Sequence, residues 1–208
     1  TDWKKITNDI KKVVFSSGIK DIKKRAFMNC ENLEEVVFPE NNTLKMIYKS
    51  AFEGCTSLRR FICPDTKMDG DQHSGVELED RIFYGDNSLE EVKLGAGLWH
   101  FGKDCFYDAN RLTEITLPED LHNINGNIFR GCTSLKSINI SENNQYFLSH
   151  DGVLYEKLNP YYGSERNNND LLVPILYAVP SGKVNDNGGT FAVPKNITTI
   201  GPWSFYGD

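Results

Sequence analysis

The 208-residue sequence predicts a solenoid, in which short coils of chain stack along one axis. Three observations predict it. Five times a phenylalanine is followed six residues later by a leucine: Phe27/Leu33, Phe52/Leu58, Phe83/Leu89, Phe106/Leu112 and Phe129/Leu135. The pairs recur at steps of 25, 31, 23 and 23 residues, a period that marks units unable to bury an apolar face alone. Further apolar columns run at fixed offsets through the copies.

The chain opens with a half copy, Ile10, Val13 and Phe15, which match Leu33, Val36 and Phe38. The first full copy reads Ile19, Ile22, Ala26, Phe27, Cys30, Leu33, Val36, Phe38, Pro39. The second reads Leu44, Ile47, Ala51, Phe52, Cys55, Leu58, Phe61, Cys63, Pro64. The third is weaker: Gly75 stands at an early apolar position, cysteine and proline are missing, and residues 65–77 lengthen the link before it. The fourth reads Leu98, Phe101, Cys105, Phe106, Ala109, Leu112, Ile115, Leu117, Pro118. The fifth reads Leu121, Ile124, Ile128, Phe129, Cys132, Leu135, Ile138, Ile140. The units are a half repeat at 8–18, repeats at 19–41, 42–66, 75–97, 98–120 and 121–142, a variant repeat at 143–194 and a partial one at 195–208. One domain over 1–208 is the simplest organisation.

Side chains alternate along a strand, so Val36 and Phe38 share one face. The segments after each leucine are short parallel strands. The Ala-Phe segment suits a short helical turn or an irregular arc. Pro39, Pro64 and Pro118 close their strands, since proline cannot donate to a ladder. A Phe52→Ala change is expected to cost ~3–5 kcal/mol and to disturb both adjacent repeats.

The stretches "IKDIKKRAFMNCENLEEVVFP" (19–39) and "LKMIYKSAFEGCTSLRRFICP" (44–64) resemble the BspA-like leucine-rich repeat family. "NNQYFLSHDGVLYEK" (143–157), "YAVPSGK" (177–183) and "FAVPKNITTIGPWSF" (191–205) resemble its longer variant repeat, in which a hairpin around Asp151-Gly152 interrupts the coil. The resemblance implies a leucine-rich-repeat solenoid, α/β or mostly β. Short parallel strands stack along a right-handed coil, with a β-hairpin insertion in the C-terminal part. It further implies a bacterial surface or secreted protein, commonly of the Bacteroides group with relatives in parasitic protists, and adhesion to host proteins or other cells. It supplies no catalytic motif. The last copy stops at Asp208, before its leucine. Either the chain is part of a longer one, or the half coil with Trp203 and Phe205 is a cap, with Trp3 covering the first coil.

Hydrophobic content of 39% is enough for a sizeable core. Twenty-three basic and 29 acidic residues give a net charge of −6, against a general nucleic-acid or anionic-membrane binder. No run of 18 apolar residues predicts a membrane span. The opening "TDWKK" is polar, so extracellular placement would need a signal already removed.

All five cysteines fall at inward positions and read as small buried hydrophobes. Cys30 and Cys55, on adjacent coils, leave a disulfide open. No C-x-x-C or histidine pair suggests a metal, and no cofactor is expected. His73, His100, His122 and His150 are scattered and read as surface or turn residues. Asp65, Asp69, Gly70 and Asp71 fail the calcium-loop register, where Lys67 and Val76 would have to be ligands. Gly95, Gly97 and Gly102 do not form a dinucleotide fingerprint and suit a turn. Asn41 and Asn196 stand in glycosylation sequons that matter only in a host with that machinery.

A partner would meet the outward positions of the stacked strands, a concave strip of Lys12/Val14, Glu35/Val37, Arg60/Ile62, Glu91/Lys93, Glu114/Thr116 and Ser137/Asn139. It is equally readable as a solvated sheet face. A second candidate is the insert 155–176, with Tyr155, Tyr161, Tyr162 and Tyr177 around an Asn-rich loop; these tyrosines could instead pack on the hairpin. Glu35, Glu91 and Glu114 stack as carboxylates, but an open face does not raise a pKa for glycan hydrolysis. The expected function is a non-enzymatic protein-binding module for a host extracellular-matrix or plasma protein. The alternative is a structural spacer in a larger surface protein. The chain is expected to be monomeric or weakly associated end to end.

Overall fold

The strand segments after each leucine alternate as expected and pair in parallel. A computed structural model describes residues 9–63, 65–66, 75–157 and 174–205. Among these residues, β1 (Lys12–Val14), β3 (Glu35–Val37), β5 (Arg60–Cys63), β7 (Glu91–Leu94), β9 (Glu114–Leu117) and β11 (Ser137–Ile140) form a six-stranded parallel sheet in that order. Val36, Phe61, Val92, Ile115 and Ile138 point inward and are buried.

Sequence patterning assigns no element to the two early apolar columns. In the structure they form a second parallel sheet: β2 (Asp21–Ile22), β4 (Met46–Ile47), β6 (Val76–Leu78), β8 (Leu98–Phe101) and β10 (Asn123–Ile124). Strands of two residues are too short to show alternation. Each coil therefore runs from second-sheet strand to arc, to first-sheet strand, to a link into the next coil.

The Ala-Phe segment is an arc of turns, not a helix. Residues two before and two after the phenylalanine take left-handed φ: Arg25 and Asn29, Ser50 and Gly54, Arg81 and Gly85, Asp104 and Asp108. Left-handed backbone breaks a helix and costs ~1 kcal/mol or more where the residue is not glycine. A ladder between arcs offsets that cost. Arg25, Phe27 and Asn29 amides donate to the Lys49, Ala51 and Glu53 carbonyls at 3.1, 2.8 and 2.8 Å, and Ser50, Phe52 and Gly54 repeat this onto Asp80, Ile82 and Tyr84.

The phenylalanines stack through the middle. Phe27, Phe52, Phe83, Phe106 and Phe129 have successive ring centroids 5.2, 5.9, 5.5 and 5.7 Å apart, within 15° of parallel. A second aromatic stack lies outside it, Tyr84 on Tyr107 at 4.2 Å with Arg81 over Tyr84.

The weak third copy is repaired by local shifts. Val76 pairs with Leu98 and Leu78 with Phe101, with a bulge between, so Val76 fills the place of Gly75. At the missing cysteine stands Asp86, wholly buried. Its Oδ1 accepts the Cys55 amide at 2.8 Å, while Oδ2 is buried without a hydrogen-bond partner among the described residues. Burial pushes this carboxyl well above its ordinary 3.8; the Cys55 and Gly54 amides oppose the shift and the Glu53 charge adds to it. Folded Asp86 thus keeps its proton where the unfolded chain releases it. Its contribution to stability is full below about pH 3.8 and falls as pH rises towards the folded pKa. Asp86→Asn removes this dependence, so the variant's stability advantage over wild type is expected to widen from pH 4 to pH 7 in urea melts. A constant gap would refute the buried-acid assignment.

All five cysteines are free, buried thiols, so no Cys30–Cys55 bridge is present. Pro39 and Pro118 follow their strands as expected, Pro118 directly after Leu117. Gly97 takes φ 86° in its turn, where a Cβ would meet the Thr66 carbonyl oxygen at 2.3 Å.

The hairpin at Asp151-Gly152 joins β12 (Phe147–His150) to β13 (Val153–Glu156), with φ 50° and 72° at the turn. A third antiparallel strand, β14 (Ile175–Ala178), and a helix, α1 (Ser181–Asp186), neither disclosed by the sequence, complete an end unit. Asn144 fastens it. Wholly buried, it donates to the Leu121 and Glu119 carbonyls at 2.7 and 2.8 Å and accepts the Phe147 and Tyr146 amides at 2.7 and 2.8 Å. Past α1 the repeat resumes. Ile200 bridges Leu176, and Trp203 takes the left-handed φ of the Arg25 column. Ser204 Oγ donates to Leu176 and Gly201 carbonyls as Cys105 Sγ does to Glu79 and Gly102. Trp3, Pro64, Lys67, Asp69, Gly70, Asp71, His73, Tyr161, Tyr162 and the Asn-rich loop lie outside the described residues.

Candidate functional site

The register of the six-stranded sheet sets its outward side chains in two columns. Lys12 pairs with Glu35, Glu35 with Arg60, Arg60 with Glu91, and Glu114 with Ser137. Val14 pairs with Val37, Ile62 with Lys93, Lys93 with Thr116, and Thr116 with Asn139.

The charged column neutralises itself. Lys12 meets Glu35 at 2.8 Å; Glu91 takes Arg60 at 2.6 Å and Lys93 at 2.8 Å. These pairs are largely exposed, so each is worth ~0–1 kcal/mol. Lys93, then Arg60, hold Glu91 below the usual carboxylate range. It stays ionised and cannot serve as the acid of a glycosidase pair.

The apolar column is the less ordinary one. Val14 is 66% exposed and Ile62 39%, with Val37 half-buried between them. Pairing of β3 with β5 covers Glu35–Arg60 and Val36–Phe61 and stops there. An open depression of about 390 Å³ lies over this seam, lined by Val36, Val37, Phe38 and Ile62 with Glu34, Glu35, Arg59 and Arg60 around them. A second, of about 380 Å³, lies between β7 and β9.

At the other end the strip is covered. Ser137 and Asn139 are half-buried and bonded to each other at 2.9 Å. A Cβ on Gly152 would sit 2.8 Å from Ser137 Oγ, so the hairpin turn rests on the strip there. Glu114 and Thr116 are exposed between these regions.

The tyrosine insert changes meaning. Tyr155 is buried, and Tyr177 donates its hydroxyl to the Ile124 carbonyl at 2.9 Å, closing the end of the second sheet. Neither offers an exposed ring, because the third sheet uses them as packing. His100 is buried rather than at the surface; burial lowers its pKa and keeps it neutral. His122 stacks on Trp99 at 5.1 Å, and His150 is exposed.

Burial raises the Cys30 thiol, raises Cys55 further, and pushes Cys63, Cys105 and Cys132 up to about 12. Such thiols are not nucleophiles at neutral pH. Among the described residues no three His, Cys, Asp or Glu side chains group as metal ligands would. No described helix is long and apolar enough to cross a membrane.

The structure is similar to several solved bacterial proteins. The pneumococcal vaccine antigen PcpA matches with a TM-score of 0.73 and 22% identity over 94% of this chain and 42% of that one. A leucine-rich repeat protein from Eubacterium ventriosum matches with a TM-score of 0.70 and 22% identity, over 98% and 46%. The leucine-rich repeat protein of T. pallidum matches with a TM-score of 0.54 and 27% identity, over 62% and 58%. The chain spans less than half the length of the first two. Comparison with curated proteins gave no match. The profile of the BspA type leucine rich repeat region matches residues 5–74 and 72–150 in six copies, covering well over half of the sequence. With its stacked parallel coils and this repeat, the chain belongs to the BspA-type leucine-rich repeat family.

Proposed function

We propose that the chain is a non-enzymatic protein-binding module of a secreted or cell-surface protein, folded as one domain, that adheres to a host or neighbouring-cell protein. One observation carries this reading: aliphatic side chains aligned across adjacent strands, exposed at Val14 and Ile62 and half-buried at Val37, beside an open seam. A solvated sheet face has no need of them, and apolar surface beside polar residues suits a partner. Because the neighbouring charges already pair with one another, they supply register and rate of encounter more than affinity. Extracellular-matrix and plasma proteins are the partners to screen. PcpA is described as a vaccine antigen, which supports surface exposure for a relative of this fold.

The test is capture of such proteins by the immobilised chain, with Arg60→Glu/Ile62→Asp as control. The double change is expected to abolish capture while circular dichroism stays unchanged. Equal capture by both chains would refute the strip. The self-paired charges also favour an inert spacer, and a folded chain that captures nothing would support that reading.

A further inference from the structure

The net charge of −6 conceals an asymmetry. Residues 1–25 hold eight of the 23 Lys and Arg but three of the 29 Asp and Glu, so the remainder of the chain is strongly acidic. Lys11 and Lys12 lie at the first sheet, but stacking gathers Lys20, Lys23, Lys24 and Arg25 with the cations of the next coil on the second sheet and its arc, away from the strip. Lys20 and Lys45 occupy one column and touch through the Lys45 amide, which donates to the Lys20 carbonyl at 2.7 Å. Lys24 and Lys49 share another column, and the Arg25 amide donates to the Lys49 carbonyl at 3.1 Å. Lys23 lies 4.3 Å over the Tyr48 ring. Lys20, Lys23, Lys24, Arg25 and Lys45 are exposed and Lys49 is half-buried. The local acids are engaged: Asp21 by Lys23 at 3.0 Å, Asp80 by Lys49 at 2.9 Å, Glu79 by the Lys49 amide at 2.8 Å, and Glu77, beside Met46, faces His100 at 3.9 Å. That leaves Lys20, Lys24, Arg25 and Lys45 as a cationic excess.

We propose that this patch binds a linear sulfated polysaccharide. Neighbouring coils set like columns ~4.8 Å apart, which presents cations at a repeat a chain of sulfate groups can follow. Nucleic acid fits less well: single strands need aromatic faces to stack on, and Tyr48 is covered by Lys23. A membrane surface needs apolar anchors beside the cations, and Ile19, at 39% exposure, is the exposed large hydrophobic residue nearby. The choice of an extracellular polyanion rests on the surface reading above, but the binding site is a separate face.

The experiment is chromatography on immobilised heparin at about 50 mM NaCl, where counterion release favours cationic sites, followed by calorimetry. The full chain is expected to be retained and to elute with salt. Lys20→Glu/Lys24→Glu/Lys45→Glu should weaken binding by about tenfold or more, and the same three changed to Gln should weaken it less. Lys195→Glu, at the far end, should bind as wild type, and so should the Arg60→Glu/Ile62→Asp strip variant. Failure of the wild type to bind would overturn the proposal. So would equal retention of the triple variant, duplex DNA competing as well as heparin, or retention explained by a dimer in sedimentation. None of these outcomes bears on the strip, which has its own capture test.

Discussion

Phe52→Ala is expected to lower the unfolding free energy by ~3–5 kcal/mol and to loosen three coils together. The ring is wholly buried, stacked on Phe27 at 5.2 Å and on Phe83 at 5.9 Å, with Phe61 edge-on at 5.6 Å. No side chain of another column can swing into the gap, because each neighbour is held by its own stack and by the arc ladder. The loss therefore includes both the transfer free energy and an unfilled cavity. In a solenoid each coil contacts only its neighbours, so the damage has a direction. Amide exchange should quicken at the Phe27, Phe52 and Phe83 arcs and much less at Phe129. A uniform increase along the chain would mean that the array unfolds as one body and that the nearest-neighbour description fails.

Asn144→Leu is expected to cost at least ~3 kcal/mol, although it adds apolar volume to a buried site, because each orphaned group costs ~1–3 kcal/mol. The Asn144 amide joins the last full coil to the entry of the hairpin, alongside the Ile138 amide on the Gly152 carbonyl at 2.8 Å and Ser149 Oγ on the Ile138 carbonyl at 2.6 Å. Its NH2 holds the Glu119 and Leu121 carbonyls of the last full coil, and its carbonyl holds the Tyr146 and Phe147 amides entering the hairpin. The substitution strands four backbone groups together. Asn144→Asp should be at least as harmful, since it sets a carboxylate oxygen against two carbonyl oxygens. Thermal melts read the loss, and exchange at β12 and β13 locates it. A loss below about 1 kcal/mol would mean that the Ile138–Gly152 and Ser149–Ile138 hydrogen bonds, Tyr177 and the α1 ion pairs Lys136–Asp186 and Lys183–Asp151, both 2.8 Å, hold the end unit without it.

The sequence showed most where a position recurs. Phe, Leu and the strand residues stand in columns, and columns declare burial without reference to any one coil. The second sheet was hidden because its strands span two residues in three of five coils, and alternation needs more than two. The arc was ambiguous because left-handed positions are held by Arg, Asn, Ser and Asp more often than by Gly, so no residue type announces them. The end unit was legible at its Asp-Gly turn and in the stretches that resemble the longer variant repeat, while its third strand and helix were not. Tyr155 and Tyr177 read in sequence either as interface residues or as packing on the hairpin, and the third sheet shows them to be packing. Of the strip, the sequence placed the residues on one face. It could not show that the charges pair among themselves, that the hairpin rests on Ser137, or that β3 and β5 part at Val37.

The route of the coil has a further consequence. From each phenylalanine to its leucine the spacing never varies, and the chain from arc to first-sheet strand is fixed with it. The 31-residue step enters after β5, and the hairpin enters after β11, so both additions fall in the link that leaves the first sheet. One rim of the molecule thus tolerates extra length while the rest keeps strict phase, as a bound book takes an inserted leaf only at the fold. Foreign segments grafted at that rim, near Glu40–Asn42 or Ser141–Asn143, would leave the columns in step, whereas a single residue added within an arc would put that coil's strand out of register with its two neighbours.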